Sequence, residues 1–168
     1  MRRSYLFPQF AGILFLLLFT LPVMATEYQA EHNITVQIPE VVKMEVGSGE
    51  IAFDLAHPKA AEPFPASTYP AYYTPTSTEQ YIPVSVFANG ATQWRLFISG
   101  VTNRGLGEGA IEWSLDGARW HPLRSTAQLL TVGNYTGGWL EFKVYFRLVL
   151  KGTEYANSDE YKVKVFYQ

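Results

Sequence analysis

Apolar and polar residues alternate along most of this chain with a period of two, and no segment carries the spacing of an amphipathic helix. The clearest stretch runs from Trp139 to Lys151. Leu140, Phe142, Val144, Phe146, Leu148 and Leu150 share one face, and Trp139, Glu141, Lys143, Tyr145, Arg147 and Lys151 share the other. Only Val149 breaks the rule. A long strand with one dry and one wet face predicts an antiparallel sheet packed on one side. The last segment repeats the pattern, with Tyr161, Val163, Val165 and Tyr167 against Glu160, Lys162 and Lys164.

Shorter alternating runs precede these. Ile34, Val36 and Ile38 lead into Pro39, which cannot donate to a ladder and marks an edge or a bulge. Val42, Met44 and Val46 follow, then Ile51, Phe53 and Leu55, then Ile82, Val84 and Val86. Trp94, Leu96 and Ile98 form another inward set, and Ile111, Trp113 and Leu115 the next. Asp116-Gly117 signals a two-residue hairpin that sets Trp113 opposite Trp120. Asn89-Gly90 signals a second hairpin, with a three-residue bulged loop from Asn89 to Ala91 that sets Val86 opposite Trp94. About eight or nine such strands predict an all-β, antiparallel, immunoglobulin-like β-sandwich, with a closed barrel as the alternative.

The first 25 residues depart from this pattern. Arg2 and Arg3 precede an apolar run from Phe10 to Leu21, and Pro22-Val23-Met24-Ala25 offers a small residue at a cut. That order is expected of a cleavable signal peptide, because the apolar run is shorter than the roughly 20 residues of a membrane span. Cleavage after Ala25 leaves residues 26–168 as one domain of 143 residues, secreted or at the cell surface, with the periplasm as a further location. No later apolar run is long enough to cross a bilayer. With Arg2 and Arg3 gone, 11 basic residues face 15 acidic ones, a net charge of −4. Such a chain is not expected to bind nucleic acid or an anionic membrane, which need clustered cations.

There is no cysteine. Disulfides, thiolate metal sites and a lipid on Cys are therefore excluded, and the core alone must hold the fold. The 11 Phe, 11 Tyr and 4 Trp residues suit that task. Small eukaryotic secreted domains usually carry disulfides, which points to a bacterial source. The sequons at Asn33 and Asn134 are read as strand and turn composition.

Residues 56–79 are the odd segment, with Pro58, Pro63, Pro65, Pro70 and Pro75 among Tyr69, Tyr72 and Tyr73. Prolines at this density leave extended, irregular backbone, and a connection this long is either a functional loop or a crossover draped over the sandwich. Tyr69, Tyr72 and Tyr73, with Trp120 near a turn and Trp139 on a charged face, are the candidate ligand contacts, for which stacked sugar rings are the natural partner. Trp94 and Trp113 are assigned to the core by phase.

No catalytic or metal-ligating set is expected. His32, His57 and His121 stand apart, no phosphate-binding glycine loop or nucleophile elbow occurs, and no cofactor is implied.

Two resemblances add to this. Ser114 to Trp120 (Ser-Leu-Asp-Gly-Ala-Arg-Trp) resembles the Asp-box hairpin of sialidase-like propellers, one residue short before the aromatic, and implies a hairpin rather than a glycosidase. Tyr161-x-Val163-x-Val165-x-Tyr167-Gln168 is similar to the terminal strand of bacterial fimbrial subunits assembled by chaperone and usher. Those subunits complete one another's sheets by strand addition. By that resemblance Ile34, Val36 and Ile38 form a donor strand. The family's disulfide is absent here, and Gly152 is out of register with its usual glycine. The expected function is a non-catalytic structural or adhesive surface protein that self-associates or binds a protein partner, with a carbohydrate-binding module as the alternative.

Overall fold

The computed structural model describes residues 34–102, 106–154 and 160–167. Residues 1–25, the expected signal peptide, lie outside these. The chain divides into two units, Met1–Gln37 and Ile38–Gln168. Of the first, residues 34–37 are described, in no strand and exposed.

The second unit is an all-β sandwich of two antiparallel sheets. Its strands are β1 (Val42–Val46), β2 (Ala71–Tyr73), β3 (Tyr81–Ala88), β4 (Trp94–Thr102), β5 (Ile111–Ser114), β6 (His121–Pro122), β7 (Gln128–Gly133), β8 (Trp139–Leu150) and β9 (Tyr161–Tyr167). The larger sheet runs β1-β3-β8-β5-β6, and β2 also pairs with β8. The smaller runs β7-β4-β9.

The period-two pattern explains which side chains meet. Val84, Val86 and Ala88 of β3, Val144, Phe146, Leu148 and Leu150 of β8, and Ile111 and Trp113 of β5 are buried on the inner face of the larger sheet. Trp94, Leu96 and Ile98 of β4 and Leu130 of β7 face them from the smaller sheet. The Trp94 ring meets Phe142 edge-on at 6.3 Å, and its indole N–H donates to the Asn134 carbonyl. Trp94 and Trp113 are therefore core residues, as their phase predicted.

Both turn assignments change. Trp113 pairs with His121, not Trp120, so the β5–β6 turn is one residue longer than a two-residue loop allows. Side-chain acceptors hold this longer turn. The Ser114 hydroxyl accepts from the amides of Asp116 and Gly117, and the Asp116 carboxylate accepts from those of Ala118 and Arg119. A one-residue slip moves a strand residue to the opposite face, which carries Trp120 away from Trp113. At Asn89-Gly90 there is no hairpin, because β3 and β4 belong to different sheets. The Asn89 side chain instead accepts from the Val41 amide and donates to the Pro39 carbonyl. It thereby ties in the chain just before β1, which takes the place beside β3.

Two predicted strands are not strands. Ile51, Phe53 and Leu55 pack against the core as expected, but Thr76 and Ser77 side chains bond the amides of Asp54 and Ala52 in place of a ladder. Residues 34–38 are in no strand. Conversely, the Pro/Tyr-rich segment contains β2, three residues fitted between Pro70 and Pro75.

Candidate functional site

Residues of β8 with odd numbers point away from the core, so their neighbours on the outer face follow from register. Phe87 lies opposite Trp139, Ser85 opposite Glu141, Pro83 opposite Lys143, and Tyr81 opposite Tyr145. On the other flank Glu112 lies opposite Arg147, and at the far end Tyr72 lies opposite Val149.

These positions are bonded into a ladder. The Arg147 guanidinium sits between two rings, 4.2 Å from the centre of Tyr72 and 4.5 Å from that of Trp120. It also donates to Glu112 Oε2 from Nε at 2.7 Å and from Nη2 at 2.6 Å. Tyr81 and Tyr145 meet edge-on at 5.5 Å, with the Lys143 ammonium 4.7 Å from the centre of the Tyr81 ring. Phe87 and Trp139 meet at 5.8 Å, tilted by 48°. The result is a stripe of aromatic rings and charged side chains along the outer face of the larger sheet.

The turn that delivers Trp120 is held by hydrogen bonds to the Asp116 carboxylate. The amides of Arg119 and then Ala118, followed by the Arg119 guanidinium and the Ser114 hydroxyl, hold the Asp116 carboxyl well below the usual carboxylate range. At Asp54 the hydrogen bond from His57 lowers the carboxyl, but both side chains are exposed on the long crossover. Among the described residues no group of three or more His, Asp or Glu is placed to hold a metal ion.

A second feature is the flank of β8 itself. Leu148 pairs with both Tyr73 and Ile111, so β2 and β5 lie on opposite sides of it, with β2 on the side of β3. On the β5 side pairing ends at Ser114–Tyr145. Residues 139–144 therefore have a partner strand on one side only among the described residues. Beside this open edge is a shallow depression of about 430 Å³ lined by Leu115, Glu141, Phe142, Lys143 and Tyr145. Leu140 is 42% exposed although it falls on the core-facing side of the strand. At the opposite side of the sandwich the edges β1 and β9 approach one another. The larger sheet is thus stepped, and its longest strand projects past its neighbour.

The predicted site residues divide accordingly. Tyr72, Trp120 and Trp139 share the outer face, with Tyr72 and Trp120 on one guanidinium and Trp139 at the far end of the stripe. Tyr73 points the other way into the core, its hydroxyl donating to the Pro63 carbonyl at 3.3 Å, and burial raises its phenol above the ordinary value. Tyr69 lies against Gly152, where a Cβ would come within 2.8 Å of its ring. Ile34, Val36 and Ile38 are 87, 75 and 77% exposed. Sequence reasoning passed over Arg147, Glu112, Tyr81, Tyr145 and Phe87. Their outward phase was the available signal, but their convergence depends on pairing between strands distant in sequence.

No family model matches the chain, and no curated protein or solved structure is significantly similar to it.

Proposed function

We propose that this chain is a non-catalytic, exported β-sandwich of the cell surface or extracellular matrix that assembles by strand addition. In this reading the Ile34–Ile38 segment of one copy pairs with the open edge of β8, residues 139–144, in another. The observation that carries it is the stepped edge, where a strand central to its sheet has, among the described residues, no partner strand on one flank, beside a depression lined by Leu115, Glu141, Phe142, Lys143 and Tyr145.

The proposed donor fits in length and pattern. Five extended residues span about 17 Å and the six-residue edge about 20 Å. Alternation would turn Ile34, Val36 and Ile38 towards the depression and leave Thr35 and Gln37 outside. Full burial of an apolar side chain stabilises by about 1.5–3 kcal/mol, of which a shallow depression supplies a part, and the backbone groups of the edge gain partners at the same time. The similarity of the final strand to that of fimbrial subunits is in keeping with this, as is the export signal expected of residues 1–25.

The test is the solution mass of residues 26–168 by light scattering over a concentration series. Polymers that disappear when Ile34–Ile38 is deleted are the expected result. A monomer at every concentration, or polymers indifferent to the deletion, overturns the proposal.

A further inference from the structure

We infer that the outer face of the larger sheet binds a neutral polysaccharide, laid along β8 from the Phe87–Trp139 pair to the Tyr72–Arg147–Trp120 stack. This inference does not require strand addition, because a single copy presents the outer face, but Glu141, Lys143 and Tyr145 of the stripe also line the depression beside the open edge.

The length and composition of the stripe carry it. Trp139 and Arg147 are eight residues apart on one strand, about 27 Å, which is room for several sugar units. Six rings stand along it: Phe87 and Trp139, Tyr81 and Tyr145, Tyr72 and Trp120. Tyr72 and Trp139, one at each end, are about half exposed. A pyranose presents a C–H face that packs on an aromatic ring and a rim of hydroxyls that need hydrogen-bond partners. Rings interleaved with charged side chains offer both.

The side chains also select against other occupants. Charged side chains, Glu141, Lys143, Arg147 and Glu112, run through the middle of this face, whereas the centre of a protein–protein interface is depleted of charge. Its charges balance, with Lys43, Lys143 and Arg147 against Glu45, Glu112 and Glu141. Arg147 is already committed to Glu112, and the Lys143 ammonium lies over a tyrosine. Nothing here supplies the unopposed positive field that an acidic glycan or a single-stranded nucleic acid requires. A neutral chain is the complementary ligand.

The contacts that hold the stripe favour binding as well. Arg147 is fixed on three sides by Glu112, Tyr72 and Trp120, and Trp120 is presented by the Asp116-anchored turn. Groups already ordered lose little further entropy when a ligand arrives.

The test is affinity electrophoresis of the purified protein through native gels containing hydroxyethylcellulose, xyloglucan, mixed-linkage β-glucan, galactomannan, xylan or starch, with alginate and heparin alongside. Retardation by at least one neutral polymer, persisting in about 0.5 M salt where exposed charge interactions are screened, is the expected result. Trp139→Ala and Tyr72→Ala should each weaken it by about tenfold, the worth of one stacked ring. Both side chains lie outside the core, and circular dichroism checks that each variant is folded. Migration unaffected by every neutral polymer, retardation by the acidic polymers alone, or binding indifferent to both substitutions overturns the inference.

Discussion

Replacing Arg147 by Met keeps most of the aliphatic stem and removes the guanidinium from the centre of the outer-face ladder. Two ring contacts are lost, at 4.2 and 4.5 Å, each worth about 0.5–1 kcal/mol where partly exposed. The Glu112 pair is lost with them. Its side chains are 23 and 19% exposed, so most of its surroundings are protein, and a charged hydrogen bond there contributes about 1.5–3 kcal/mol. These contributions overlap, because Glu112 and the rings order the same group, which gives a net destabilisation of about 2–4 kcal/mol. For a domain of this size about 4 °C of Tm follows each kcal/mol, so calorimetry should record a fall of about 8–16 °C. Glu112→Gln in the Arg147→Met background should then cost much less than it does alone. A Tm within about 2 °C of the parent, or strict additivity of the two substitutions, refutes the ladder as a cooperative unit.

Two further perturbations test the turn and the core. The Asp116 carboxyl is depressed in the folded chain, so the stability it contributes is present above its unfolded value of about 3.9 and is lost as the pH falls through the lower folded value. The amide resonances of Arg119 and Ala118 should therefore hold their positions through pH 4 and move only in stronger acid, whereas movement centred near the ordinary carboxylate value contradicts the anchoring. In β4, a Cβ on Gly100 would come within 2.3 Å of buried Leu123, so Gly100→Ala should cost about 1–3 kcal/mol in denaturant unfolding, and much less in a Leu123→Ala background. Equal costs in the two backgrounds refute the packing.

The sandwich was legible where one rule, alternation, decides burial. β3, β4, β5, β8 and β9 lie where period-two runs placed them, and Trp94 and Trp113 are core residues for the same reason. It was illegible where other forces set the path. β7 was overlooked because Leu129 and Leu130 are adjacent, and the register of β4 against β7 shifts between Leu96 and Phe97, which breaks the alternation. β2 was hidden among prolines, and its three residues hold their place through pairing to β8, almost 80 positions downstream. The turn at Asp116 looked like a short hairpin because its dipeptide is one. Its true length comes from side-chain acceptors that local propensity does not count.

The candidate site shows the same division. That Trp139 faces outward could be read from its own strand. That Tyr72 and Trp120 clasp Arg147 could not, since three segments must be registered before the guanidinium acquires its neighbours. The Ile34–Ile38 segment is the converse case. Its alternation is as regular as that of a strand, yet alternation states only what a strand would bury, not whether a partner is at hand.

The central claim is that the flank of β8 at residues 139–144 accepts an added strand. Its most direct test is an NMR titration of the full chain carrying Ile34→Ser, Val36→Ser and Ile38→Ser with a synthetic peptide of residues 32–40. The account predicts that the amides of residues 139–144 shift and gain protection from exchange, and that Leu115 and Phe142 respond beside them. Shifts confined to the β1 and β9 edges, or no response at saturating peptide, would contradict it.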